Sequence, residues 1–135
     1  MKKILFLSII IIISTLALST SFKNRDRNLE KFLSEDNISE REYIFGEYDC
    51  RMFVRDLKYR LEKNEFDVSI VSIRLWDNVD KKIAGHVCLF YPRENIFIEP
   101  ITDNLFNLKE SELYPLCGDR YIVKNFVFYE KGVYK

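Results

Sequence analysis

EYDCRMFVRDL, residues 47–57, sets a cysteine where a helix begins. Asp49 suits an N-cap, and Cys50, Phe53, Leu57 and Leu61 follow at the three- and four-residue steps of one helix face. The spacing predicts a helix from Cys50 to about Lys63, with Asn64 as a left-handed cap and Cys50 opening the buried face. A thiol in that place meets opposed influences. Apolar burial raises its pKa, whereas the unpaired N–H groups and positive end of a helix lower it. Which prevails depends on a second group elsewhere in the chain.

Downstream of the helix the pattern becomes β-rich. Val68 to Trp76 is dense in branched and aromatic residues, residues 77–82 read as a polar turn, and Ile83 to Tyr91 is a second strand. Pro92-Arg93-Glu94-Asn95 is a tight connection into a third strand, Ile96 to Glu99. Together these predict an antiparallel meander. Residues 102–119 carry Pro115 and Gly118 and read as loop, with one short helix around Leu108 to Leu113. Arg120 to Glu130 is a last strand, apolar on both faces: Tyr121, Val123, Val127 and Tyr129 on one, Ile122, Phe126 and Phe128 on the other. That pattern marks an inner strand.

The single histidine, His86, lies mid-strand in IAGHVCLFY, where alternation gives it one face with Cys88 and Phe90. An apolar face of that kind needs a cover, and the helix opening with Cys50 is the expected one. The thiol would then meet the imidazole, which takes its proton and yields a nucleophile. An imidazolium in a half-buried site needs an acceptor on its other nitrogen. A hairpin turn centred near residues 93 and 94 sets Ile101 opposite His86 and Glu99 diagonally adjacent on the same face. Glu99 suits the orienting role, and Asp103 has the same parity if the register shifts. Taken singly, such a cysteine, histidine and glutamate ordinarily serve packing and solvation. Their joint placement is what points to chemistry, because an inward histidine and glutamate are costly to bury without partners.

With 135 residues, the chain has material for one compact domain. Its 21 basic and 21 acidic residues argue against a nucleic-acid surface or a polyacidic tail. Met1-Lys2-Lys3 followed by the apolar run Ile4 to Leu18 has the form of a signal peptide, with Ala17-Leu18-Ser19 offering cleavage before Thr20. An uncleaved anchor is the alternative, and in either case the domain lies outside the cytoplasm. The expected organisation is therefore a leader over residues 1–19, a polar segment with a short helix over 20–42, and the domain proper over 43–135. Three cysteines without a C-x-x-C spacing speak against zinc and against a disulfide framework. A Cys88–Cys117 bridge leaving Cys50 free is one arrangement; three small buried thiols is another, and a Cys50–Cys88 redox pair is a third. The absence of glutamine beside abundant lysine and glutamate is a composition of heat-adapted proteins.

In order and context the sequence resembles the transglutaminase-like branch of the papain-fold cysteine enzymes. There a cysteine opens a helix, a histidine lies on a following strand, and an acidic residue before a proline lies on the next. Here YDCRMFVRDLKYRL, GHVCLFY and IFIEPIT carry the likeness, over roughly residues 43–102. The resemblance implies an α+β fold with the cysteine helix packed on an antiparallel meander. It implies Cys50 as nucleophile, His86 as general base and then acid, and Glu99 as orienting carboxylate. The family usually has aspartate at the position of Glu99. Without any glutamine to serve as oxyanion donor, the backbone N–H of Cys50 takes that part, with Tyr48 nearby as accessory. The function expected is hydrolysis of an amide or peptide bond, with no cofactor and with a peptide or amide-containing substrate that could belong to a cell surface. The competing expectation is a non-catalytic binding or structural module of the same fold.

Overall fold

The computed structural model describes residues 29–129, so the expected leader and its cleavage point lie outside the described residues. Among the described residues, no helix is long and apolar enough to cross a membrane. The chain divides into two compact units between Glu35 and Asp36. In the first, residues 29–35 are helical (α1), and Leu29 and Leu33 are buried. This is the short helix expected of the polar segment. The second unit begins at Asp36, where two ion pairs, Asp36 accepting from Arg60 at 2.8 Å and Arg41 donating to Asp56 at 2.8 Å, tie residues 36–41 to the helix that follows.

That helix is α2, Cys50–Lys63. Asp49 is its N-cap, with extended backbone and a side chain that accepts from the Arg51 N–H at 3.0 Å. Phe53, Val54, Leu57 and Leu61 form the buried stripe. Its C-terminal end differs from expectation by one residue. Asn64 has φ −102°, and the left-handed residue is Glu65 at φ 66°. The Phe66 N–H reaches back to the Leu61 carbonyl at 3.0 Å, and the Glu65 N–H to Glu62 at 3.1 Å, so the chain closes one step later in a Schellman-type turn.

Five antiparallel strands follow: β1 Ser69–Asp77, β2 Lys82–Tyr91, β3 Ile96–Glu99, β4 Asn104–Phe106 and β5 Tyr121–Tyr129, in the order β4-β3-β2-β1-β5. The first three strands are the predicted meander to within a residue. Residues 102–119 contain β4 and turns, and the helix expected around Leu108 to Leu113 is absent. Instead the segment binds back onto β5, with Ser111 N–H to Val123 O at 2.7 Å, Val123 N–H to Glu112 O at 2.9 Å and Tyr114 N–H to Tyr121 O at 2.8 Å. At the other end of β1, buried Asp77 accepts a two-pronged contact from Arg120 and fixes the entry to β5.

β5 is the last strand of the sheet, contrary to the inner position its apolar content suggested. The irregularity where Arg74 faces Asn125 but Leu75 faces Val123 skips Lys124 and changes the strand's parity. Val123 and Phe126 therefore share a face, while Val127 and Phe128 are 57% and 46% exposed. Strict alternation could not foresee the bulge.

His86, Cys88, Phe97 and Glu99 lie on the same sheet face as Val71 and Ile73. The cover of that face also differs from expectation. Its core contains Leu108 and Tyr114 from the segment after β4 and no residue of α2. α2 packs on β2 and β1 from the opposite side, where Ile70, Leu89 and Ile98 are buried. Phe66, just past the helix, meets Tyr91 of that opposite side edge-on at 5.9 Å.

Candidate active site

The register of the β2–β3 hairpin creates the first contact of the site. Asn95 adopts φ 53° and its N–H bonds to Pro92 O at 3.2 Å, which sets Leu89 opposite Ile98. Continuing that register puts Glu99 level with Cys88 and diagonal to His86, as the parity of the sequence required. His86 Nε2 and Glu99 Oε2 are 2.7 Å apart, with side chains only 16% and 6% exposed. The Tyr114 hydroxyl donates to the same Oε2 at 2.6 Å, and the Ile101 N–H donates to Oε1 at 3.3 Å. Both carboxylate oxygens are thus engaged, so Glu99 is held in place and holds the ring in turn.

β3 pairs with β2 only over Leu89–Tyr91, which leaves β2 at His86 without a β3 partner. Half-buried Cys50 lies near enough to the imidazole to act on its protonation. With Nε2 committed to Glu99, the ring nitrogen left for the thiol is Nδ1. Burial alone would lower the His86 pKa. The contacts with Cys50 and then with Glu99 outweigh burial and raise it to about 9, so the ring holds its proton at neutral pH.

The first turn of α2 also presents a donor. Asp49 accepts the Arg51 N–H through its side chain and the Met52 and Phe53 N–H groups through its carbonyl. The Cys50 N–H takes part in none of these bonds, and it is the group placed to meet an oxygen bound against Sγ.

The accessory residues expected from sequence stand elsewhere. The Tyr48 hydroxyl donates to Asp56 at 2.9 Å and accepts from Arg41 at 2.6 Å, while its ring lies 4.7 Å from that of Phe53. It therefore braces the approach to α2. Asp103, at φ 58° in the turn between β3 and β4, accepts from Ser39 and has no bond to His86. The expected register holds, so the alternative that needed Asp103 does not arise. All three cysteines are free, and the Cys88–Cys117 bridge is not formed. Cys88 is fully buried; burial first, and then the charge of Glu99, push its thiol pKa up, so it serves as a small apolar residue. Among the described residues, no cluster of histidine, cysteine or acidic side chains is placed to hold a metal ion.

Sequence reasoning missed Tyr114. It is 2% exposed, caps Glu99 and meets the His86 ring edge-on at 5.6 Å. Its only sequence signal is an aromatic residue before Pro115, flanked by Leu113 and Leu116. Burial, then the nearby charge of Glu99, keep its hydroxyl protonated and hence a donor. Tyr114→Phe is expected to cost about 1–3 kcal/mol in urea unfolding, the range for a buried hydrogen bond to a charged group. It should also raise the His86 titration midpoint, because the imidazolium no longer shares Oε2. An unchanged midpoint and stability would remove Tyr114 from the site.

Comparison with protein-family models, with curated proteins and with solved structures finds no match.

Proposed function

We propose that this chain is a cysteine acyl-transfer enzyme of transglutaminase-like type, hydrolysing an amide or peptide bond through Cys50, His86 and Glu99. The observation that carries the proposal is a buried imidazole bonded to a carboxylate whose two oxygens are both occupied, with a helix-opening thiol beside the ring. Groups kept only for packing do not need this order.

In the reaction, the Sγ electron pair forms a bond to the substrate carbonyl carbon while the thiol proton resides on His86. Charge develops on the carbonyl oxygen, where the Cys50 N–H receives it. Collapse of this intermediate breaks the bond to the leaving nitrogen, which takes the proton from His86. A water then attacks the thioester, His86 accepts the water's proton and returns one to Sγ, and a free acid leaves. Glu99 keeps the ring oriented and offsets its charge throughout. Water is the favoured acceptor, because the small domain has little surface for engaging two macromolecules. The signal-peptide form of residues 1–19 supports action outside the cytoplasm, with membrane attachment only through an uncleaved leader.

The test is intact-mass detection of a thioester. Wild-type protein mixed with p-nitrophenyl acetate should gain one acetyl group on Cys50 and lose it to water, faster when an amine is added if transfer competes. Cys50→Ala should gain none at that site. A wild-type Cys50 that remains unmodified at neutral pH would leave the fold as a non-catalytic module.

A further inference from the structure

One face of β2 carries Ile83, Gly85, Val87 and Leu89, and the register sets Trp76 beside Ile83, Arg74 beside Gly85 and Ile70 beside Leu89. α2 packs on this face. Phe66, past its C-terminal end, meets Tyr91, and Cys50 opens its other end beside the His86 ring, so the helix runs along β2 from the level of Gly85 to that of Tyr91. Its 14 residues span about 20 Å, roughly the rise of six strand residues. Beyond the first turn of α2 the face is uncovered: Ile83 is 48% exposed, Gly85 and Arg74 are exposed, and Trp76 is half-buried.

Nothing within the protein calls for a glycine at residue 85. Its φ is not left-handed, and a Cβ there would meet no neighbouring atom within 4 Å. A glycine inside a strand weakens it, and one standing over empty space leaves room for another chain to pass close to the backbone. Beside it, Arg74 has no hydrogen bond or ion pair among the described residues, unlike Arg41, Arg51, Arg55, Arg60 and Arg120, which all pair with carboxylates. Lys124 adds a second cation, its Nζ 5.9 Å from the centre of the Trp76 ring. No acidic residue shares this face of β1, β2 or β5.

We propose that this uncovered end is the acyl-donor subsite, taking a peptide whose main chain crosses Gly85 and whose side chain beside the scissile bond carries a carboxylate to Arg74. The inference rests on the acyl-transfer reading above and names its substrate class. Cys50 and Gly85 flank the same ring, one in the first turn of α2 and the other one residue before His86. A carbonyl held against Sγ therefore has its neighbouring residue over Gly85. Trp76 and Ile83 give the aliphatic part of the acidic side chain an apolar floor, and the unpaired guanidinium offers its N–H groups to the carboxylate. A neutral side chain in that place leaves Arg74 without a partner, which makes the cation selective.

The probes are acetyl-alanyl-glutamyl p-nitroanilide and its glutaminyl counterpart, compared by kcat/KM, beside acetylation of Cys50 by p-nitrophenyl acetate, which carries no peptide. Wild type should favour the glutamyl probe by about fivefold or more. Arg74→Gln should bring the ratio to about one, and Arg74→Glu should invert it. Gly85→Val, a residue that suits a strand, should slow both peptides about tenfold more than it slows acetylation. Equal rates on the two peptides in wild type, or a glutamyl preference that survives Arg74→Gln, would overturn the subsite. So would a Gly85→Val that slows peptides and p-nitrophenyl acetate alike, or slows neither. Wild type that is acetylated at Cys50 but cleaves neither peptide overturns the subsite alone. A wild-type Cys50 inert to p-nitrophenyl acetate brings down the acyl-transfer reading itself and this inference with it, a result distinct from the others.

Discussion

In His86→Ala, iodoacetamide is expected to alkylate Cys50 on the order of a hundredfold more slowly than in wild type at pH 6, with the gap narrowing towards pH 9. The reason is where the proton resides. With its pKa raised to about 9, His86 keeps its proton at pH 6 and gives it up only towards pH 9, and the proximity of Cys50 is among the causes. The proposed pairing of the Cys50 sulfur with that imidazolium predicts a rate that changes little between pH 6 and 8. Without the ring, the rate should rise about tenfold per pH unit, as for any thiol below its titration. Mass spectrometry of peptides containing Cys50, Cys88 and Cys117 assigns the modified site, and buried Cys88 serves as the slow internal reference. His86→Gln, which retains more volume, guards against a collapsed site. Identical profiles in wild type and both variants would mean that the thiol and the imidazole do not share a proton.

Much of this site is legible in the sequence because it depends on local rules. Asp49 and the 3–4 spacing after it locate the helix, and the two-residue period of strands assigns His86 and Glu99 to one face. The turn at residues 92–95 fixes their register. What could not be read depends on contacts distant in sequence. The side of the sheet taken by α2 is one such feature. It is set by which apolar surface the rest of the chain covers, and here Leu108 and Tyr114 take the His86 face. The bulge that skips Lys124 is another, since a strand's hydrophobic pattern carries no mark of an unpaired residue. Tyr48 and Tyr43 show the same limit at close range. Both lie just before Cys50, and only the fold-back at Gly46 decides that Tyr43 stacks on Phe53 while the Tyr48 hydroxyl turns to Arg41 and Asp56.

Glu99→Gln is expected to lower the His86 titration midpoint from about 9 to about 7 or below, followed by the imidazole Cε1–H resonance of the one histidine in the chain. Burial of the ring favours the neutral form, and the substitution removes the carboxylate that opposes it while preserving the side chain's shape. Stability should follow the same proton. A histidine whose pKa is higher folded than unfolded contributes stability that is complete below its unfolded pKa of about 6.5, and that disappears as pH rises through about 9. The linkage is worth on the order of 3 kcal/mol at its maximum. In urea unfolding, wild type should therefore exceed Glu99→Gln most at pH 6 and least at pH 10. The difference left at pH 10 belongs to the bonds from Tyr114 and Ile101, which do not depend on the histidine proton. A difference constant from pH 6 to 10 would assign Glu99 to those two bonds alone, and the orienting role would pass from it. A midpoint that falls together with the neutral-pH alkylation rate of Cys50 would tie the carboxylate to the nucleophile through the ring, which structural burial by itself does not predict.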